Sequence, residues 1–330
     1  MPELRKDPTS NRWVIISTER AKRPGDFVLP PVQKKGGFCP FCEGNEKFTP
    51  PEVYSVRNSG TADENGWRVR VVPNKFPALS NEGIPADISH GFFEAKVGSG
   101  AHEVIVETID HNATLADLAE GPFADVVGTY VQRLRTLGAD PRLEYVFIFR
   151  NSGLLAGASL EHPHTQIIGL PMTPLYIHDE LAHAEAHAKK TGKCIFCEMI
   201  AAELESKARV IAETDGFIAL APYAPRFPFE TWVMPTSHSS HFETLEGKQL
   251  ADFSRFLKRT LSAIKSVLAD PPYNFMLHNS PSRSGPLAHY HWHLEIAPCL
   301  SNIAGFERGT GYYINPTPPE ESAKLLREVF

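Results

Sequence analysis

Cysteine is scarce in this chain, and net charge is small. Five cysteines among 330 residues cannot staple a chain of this size, which excludes the disulfide-built secreted scaffolds. Lysine and arginine number 33 against 39 acidic residues, a formal charge of −6, so no global basic field calls for nucleic acid. Long apolar runs are missing as well. No stretch approaches the roughly 20 residues that span a bilayer. The opening Met-Pro-Glu-Leu-Arg-Lys-Asp-Pro has no apolar segment of the kind a secretory signal carries. A cytoplasmic protein with no membrane and no nucleic-acid partner is expected. Proline, in contrast, is plentiful at 28 residues, gathered at segment joints as in long ordered loops, and 42% hydrophobic content suffices for a full core. Length alone suggests two domains.

Four of the five cysteines form two copies of one motif, Cys39-Pro-Phe-Cys42-Glu43 and Cys194-Ile-Phe-Cys197-Glu198. Further landmarks recur in the same order. Val72-Pro-Asn74-Lys-Phe-Pro77 is echoed by Ala221-Pro-Tyr-Ala-Pro-Arg226-Phe-Pro228. Glu103 to His111 is echoed by Glu230 to His238, with an equal step. Tyr145-x-Phe-x-x-x-Asn151-Ser152 is echoed by Tyr273-x-Phe-x-x-x-Asn279-Ser280, and His162-Pro-His164 by His291-Trp-His293. The chain is read as two copies of one α+β unit. Apolar residues place a long helix in each, over Leu115 to Leu137 with a helical spacing from Phe123 onward, and from Phe253 to Val267. Residues 175–190 read as a polar helical connector whose His178, His183 and His187 lie on the surface.

The stretch from Asn151 to Pro171 carries the most chemistry. Tyr145-Val-Phe-Ile-Phe149 before it reads as a buried strand. After a loop holding Gly153 and Gly157, the period-2 order His162, His164, Gln166 places three polar side chains on one face of a second strand. Such a loop lets backbone N–H groups approach an anion, and a phosphate held there would lie beside His164. Asn11 to Ile16 reads as a strand leading into the basic turn Arg20-Ala-Lys-Arg23-Pro24.

A Cys-x-x-Cys pair joined by two distant histidines has the composition of a structural zinc site, two thiolates and two imidazoles filling a tetrahedron. The repeat gives two such sets: Cys39, Cys42, His111 and His162, then Cys194, Cys197, His238 and His291. His289 is a reserve for His291, because aligning the halves at Pro171 and Pro298 would match it instead. A redox role fits less well, since neither motif opens a helix after a thioredoxin-like strand. Cys299 stands alone and is assigned to the core.

The pattern Asn151-x-Gly-x-x-x-Gly157-Ala158-Ser159-x-x-His162-Pro-His164-x-Gln166, with the Arg20 turn, Cys-x-x-Cys, Asn74 and Gly305-Phe306-Glu307, closely resembles galactose-1-phosphate uridylyltransferase, the transferase branch of the histidine-triad superfamily. The resemblance covers nearly the whole chain. It implies two pseudo-symmetric histidine-triad-like units, each an antiparallel sheet with a long helix: a catalytic unit over residues 1–174 and a non-catalytic one over 175–330. It further implies a homodimer holding two structural zinc ions, with iron possible at either site.

By the same resemblance, His164 attacks the α-phosphorus of UDP-glucose and releases glucose 1-phosphate; galactose 1-phosphate then takes the UMP group, a ping-pong scheme. Gln166 assists by hydrogen bonding. Substrate contacts are expected from Arg20, Arg23, Asn74, Asn151, Gly157, Ala158, Ser159 and Gln166, and from the tail residues Phe306, Glu307, Gly309, Thr310 and Gly311. Gln166 stands where histidine-triad hydrolases carry a third histidine; it can donate a hydrogen bond but not a proton, which favours transfer to another phosphate over hydrolysis. The tail, with Phe306 in place of a tyrosine, and the second Cys-x-x-Cys look more like the plant-type branch that moves adenylyl between ADP-glucose and phosphate. That activity and nucleotide hydrolysis are the alternatives.

Overall fold

The computed structural model describes residues 1–17, 23–27 and 36–330. Ten strands form one sheet, and the repeat accounts for its order. In the first half β3 (Tyr54–Arg57), β4 (Trp67–Pro73) and β5 (Ala101–Val106) lead through α1 (Glu120–Gly138) to β6 (Tyr145–Ser152) and β7 (His164–Leu170). In the second half β8 (Val210–Glu213), β9 (Phe217–Leu220) and β10 (Thr231–Pro235) lead through α4 (Gly247–Leu268) to β11 (Tyr273–His278) and β12 (His293–Pro298). The spatial order is β3-β4-β5-β7-β6-β11-β12-β10-β9-β8, the same sequence of strands read inward from each edge. The halves join where β6 and β11 pair antiparallel, Asn151 opposite Asn274 and Ile148 opposite Leu277.

A small second sheet ties the chain's two ends together. β1 (Glu3–Lys6) pairs with β2 (Trp13–Ile16), and β13 (Tyr313–Asn315) lies parallel to β2. Between β13 and the end runs α6 (Pro319–Arg327), and α5 (Gly305–Thr310) precedes it.

One face of the large sheet carries α1 and α4, which pack on each other over the main core of Val126, Tyr130, Leu134, Phe253, Leu257 and Ile264 with the strands' Ile105, Ile148, Ile167, Phe275 and Ile296. Strand alternation sends the other residues to the opposite face. In the second half that face is covered: Ile218, Leu220, Trp232 and Met234 pack with Ala184 of α2 (Leu175–Thr191) and with Ile195, Phe196 and Ile200 of α3 (Ile195–Ser206). In the first half Asn151 and Gln166 on this face stay half-exposed, where their register counterparts His278 and Glu295 are buried. That asymmetry makes room for a site.

Three local expectations change. The helix predicted from Leu115 begins only at Glu120, because Leu115–Asp117 forms a separate 3-10 turn in which the Asp117 carboxylate accepts the Thr114 N–H. Strand β7 begins at His164, leaving His162 in the preceding loop rather than on the strand face. The connector is less polar than it reads: Ile177, Glu180 and Ala184 of α2 are buried, while His178 is exposed. No helix among the described residues is long and apolar enough to cross a membrane.

Candidate active site and metal centres

The first Cys-x-x-Cys lies in the loop ahead of β3, and the fold brings it to His111, after β5, and His162, before β7. One ligand atom from each of Cys39, Cys42, His111 and His162 lies within 4.8 Å of the others. Bonds of about 2.3 Å to sulfur and about 2.05 Å to nitrogen at a tetrahedral angle would set each sulfur about 3.6 Å from each nitrogen. The contacts are 3.4 Å for Cys42 Sγ to His111 Nδ1, and 3.7 and 3.8 Å for His162 Nδ1 to Cys42 and Cys39. His162 donates its other ring N–H to the Thr108 carbonyl at 2.7 Å, which fixes the tautomer with Nδ1 as the ligand. Burial, with the neighbouring Cys39, pushes the Cys42 thiol up to about 11, and burial lowers His162 to about 4. Two cysteine sulfurs and two imidazole nitrogens are a donor set suited to a divalent cation, which binds cysteine as thiolate.

The second set is built the same way. Cys194, Cys197, His238 and His291 converge within the same limit, Cys197 Sγ lying 3.4 Å from His238 Nδ1 and 3.7 Å from His291 Nδ1. The outer nitrogens donate to Leu287 and Pro235 carbonyls at 3.0 and 2.9 Å. His291 takes the place, and the reserve His289 does not. Cys194 does cap a helix, α3, but that helix follows α2 rather than a strand, so the arrangement is not thioredoxin-like.

His164 opens β7 on the sheet face away from α1 and α4 and is itself buried. Its Nδ1–H donates to the His162 carbonyl at 2.7 Å, so the lone pair sits on Nε2, the nitrogen available to attack. Burial lowers its pKa, keeping the imidazole neutral. Phe41, between the two cysteines of the metal loop, meets the His164 ring edge-on with ring centroids 5.6 Å apart. Beneath the strand, Arg150 donates to the His164 carbonyl at 3.1 Å and pairs with Glu107. Glu107 also accepts from the Thr165 and Tyr130 hydroxyls at 2.6 and 2.9 Å. The His164 backbone is thus pinned from both sides.

The loop before it turns tightly. Gly153 (φ 85) and Gly157 (φ 88) flank a 3-10 turn, Leu154–Ala156. This corrects one expectation: the Gly157 and Ala158 N–H groups bond Leu154 and Gly153 carbonyls at 3.0 and 3.1 Å, because the turn closes on itself. Ser159, beyond the turn, is exposed. Asn274 of β11 steadies the loop, donating to Asn151 Oδ1 at 2.8 Å and to the Ala156 carbonyl at 2.9 Å; this leaves the Asn151 amide hydrogens for another acceptor. Asn274 Oδ1 in turn accepts the half-buried Cys299 thiol at 3.2 Å, so Cys299 is a polar contact rather than a core residue.

Asn74 and Gln166 meet at His102, whose Nε2 lies 3.1 Å from Asn74 Nδ2 and 2.9 Å from Gln166 Oε1. Arg23 does not join them: it is exposed, and the turn it begins packs against α4 on the opposite side of the sheet. Arg20 falls outside the described residues. The tail residues stay apart too. Phe306, Gly309, Thr310 and Gly311 are exposed, Glu307 caps its own helix through the Ala304 N–H at 3.0 Å, and Thr310 donates to the Phe306 carbonyl. From this helix Arg308 reaches a 320 Å³ cavity, shared with Leu155, Asn274 and Cys299.

The second copy is closed. His293, the counterpart of His164, is fully buried and stacked on Trp232, with ring centroids 4.9 Å apart. Glu180 of α2 fills the space a ligand would need: it sits 3.1 Å from His278 Nδ1, accepts the Tyr290 hydroxyl at 2.6 Å, and lies 3.9 Å from His293 Nε2. Glu295, at the position of Gln166, is paired with Arg226. Sequence reasoning missed His102, Asn274 and Glu180. Glu180 looked like one more polar residue of a surface helix, and the other two become visible only through strand register.

Fold and site together define a tandem histidine-triad-like protein of the transferase type, with one open copy and one filled. The family model described as galactose-1-phosphate uridyl transferase, N-terminal domain, matches residues 1–174, and one described as a domain of unknown function (DUF4921) matches residues 98–329. The chain is 41% identical to an ADP-glucose phosphorylase of Arabidopsis thaliana, over 99% of this chain and 93% of that protein. It is 32% identical to a galactose-1-phosphate uridylyltransferase of Thermotoga maritima, over 99% and 98%. The crystal structure of an Arabidopsis thaliana ADP-glucose phosphorylase with bound ADP-glucose superposes with a TM-score of 0.83 at 38% identity, covering 100% of this chain and 99% of that one. The chain belongs to the galactose-1-phosphate uridylyltransferase family.

Proposed function

We propose that this protein is a nucleotidyltransferase acting through a nucleotidyl-His164 intermediate, with an ADP-sugar as donor and inorganic phosphate as acceptor. The observation that carries the chemistry is the fixed tautomer of His164: with Nδ1–H held by the His162 carbonyl, Nε2 is a neutral nucleophile aimed from a rigid strand start. In the first step Nε2 bonds to the α-phosphorus and the bond to the bridging oxygen breaks, releasing sugar 1-phosphate. In the second a phosphate oxygen attacks the same phosphorus, the P–N bond breaks, and ADP leaves with the imidazole restored. Gln166 and Asn151 donate to the phosphoryl oxygens as charge shifts. Zinc suits both Cys2His2 sets; at the first it would lock His162, and with it the His164 backbone. A homodimer fits the exposed position of the tail residues, which would then serve a neighbouring copy.

Preference for adenine rests on the full-length likeness to an ADP-glucose phosphorylase at 41% identity, against 32% for the uridylyltransferase. The uridylyl exchange between UDP-glucose and galactose 1-phosphate is the second reading, favoured by the family model over residues 1–174. Incubation with ADP-glucose and phosphate, and separately with UDP-glucose and galactose 1-phosphate, decides between them. ADP and glucose 1-phosphate from the first mixture, dependent on phosphate, are expected. Faster turnover of the second mixture would reverse the assignment, and nucleotide release without any acceptor would make the protein a hydrolase.

A further inference from the structure

His102 has no part in the family pattern that identifies the site, yet it touches two of the site's amides. We propose that His102 is a positioning residue that decides which atom of Gln166 faces the phosphate on His164; the proposal rests on the nucleotidyl-His164 reading. The pairing of β5 with β7 sets Val106 opposite His164, Val104 opposite Gln166 and His102 opposite Ile168. Strand alternation therefore puts His102 on the same face as His164 and diagonal to Gln166.

The proton's location follows from its neighbours. The Ala78 backbone N–H bonds His102 Nδ1 at 3.1 Å. A backbone N–H can only donate, so Nδ1 holds the lone pair and the neutral ring carries its hydrogen on Nε2. Two amides approach that nitrogen. Asn74 Oδ1 is committed to the Phe76 N–H at 2.9 Å, so Asn74 presents its NH2 group and cannot accept. Gln166 Oε1, at 2.9 Å, is the acceptor. With its oxygen held there, Gln166 has only its NH2 group to offer elsewhere. The reversed amide would turn a carbonyl oxygen toward the phosphoryl oxygens, replacing attraction with repulsion where negative charge gathers. His102 thus sets the sign of Gln166's contribution without touching the reacting atoms.

The test is single-turnover labelling of His164 by radiolabelled ADP-glucose without acceptor, following rate, half-saturating concentration and metal content. His102→Ala should slow labelling by about 10–100-fold, with half-saturation and metal content little changed. In a Gln166→Ala background the same substitution should cost nothing further, since the residue it orients is gone. His102→Gln, which can keep an N–H at the Nε2 position, should recover most of the rate. His102→Glu, of the same size but offering only acceptors, should not, because it draws the Gln166 NH2 group around. That pair decides the matter if His102→Ala does not fold. Labelling of His102→Ala at the wild-type rate, equal rates for the Gln and Glu variants, or losses that multiply with Gln166→Ala would each overturn the positioning role. A wild-type protein carrying no label on His164 would overturn the proposed function and this inference together.

Discussion

Arg150 and Glu107 form an ion pair under His164, and cutting it should be costly in a calculable way. The two side chains are 3% and 0% exposed. Arg150→Met keeps most of the volume and removes the charge, stranding the Glu107 carboxylate in the core between α1 and the sheet. Breaking one side of a buried pair costs about 3–5 kcal/mol. Two observations place the expectation at the lower end. Glu107 Oε1 keeps the Tyr130 and Thr165 hydroxyls, each worth about 1 kcal/mol, and Arg150 Nε is itself buried without a hydrogen-bond partner among the described residues, so the native pair is imperfect. A loss of about 3 kcal/mol follows. Adding Glu107→Gln to Arg150→Met removes the orphaned charge but retains an oxygen for the two hydroxyls, and should return about 2 kcal/mol. Urea unfolding followed by tryptophan fluorescence, with metal content matched between variants, measures both. A loss under about 1 kcal/mol, or a double variant no more stable than the single one, would refute the reasoning.

Cys197→Ser should lower bound zinc from about two to about one per chain and reduce thermal stability, while His164 still labels; elemental analysis and a melting curve check this. Gly153→Ala should cost about 1–3 kcal/mol, because φ is 85° and the new Cβ would stand 3.0 Å from Pro272 Cβ; unfolding in urea reads it. Glu52 gives a pH signature. Burial opposes its ionisation, but bonds from Arg57, Ser55 and Arg70 outweigh it and hold its pKa below the ordinary 4.5. A carboxylate with a depressed folded-state pKa stabilises fully above its unfolded pKa and loses that contribution as pH falls through the folded one. The stability gap between wild type and Glu52→Gln should therefore be largest near neutral pH and close below about pH 4; a gap that widens on acidification would contradict it.

The linear sequence determined the repeat, and with it a great deal. Paired landmarks such as Tyr145 and Tyr273 mark strands that begin at those residues in both halves, and the strand order is the same in each. It also determined both Cys2His2 sets, since a metal demands particular ligand types and these are conspicuous when only five cysteines exist. The pattern around His164 marked that segment as the one carrying the most chemistry. What remained hidden depends on which face a residue takes and what crosses that face. Gln166 and His102 are 64 positions apart and become neighbours only through the β5–β7 register. Asn274 reaches the loop before His164 only because β6 and β11 fuse two half-sheets into one. The amides of Gly157 and Ala158 looked available for phosphate until the turn folded back on itself. The contacts that set the two halves apart came only with packing: α2 and α3 lie over the second copy, Glu180 fills it and Arg226 pairs with Glu295, while Asn151 and Gln166 of the first stay half-exposed. A repeat fixes what the two halves share; the contacts that differ between them exist only once distant segments have met.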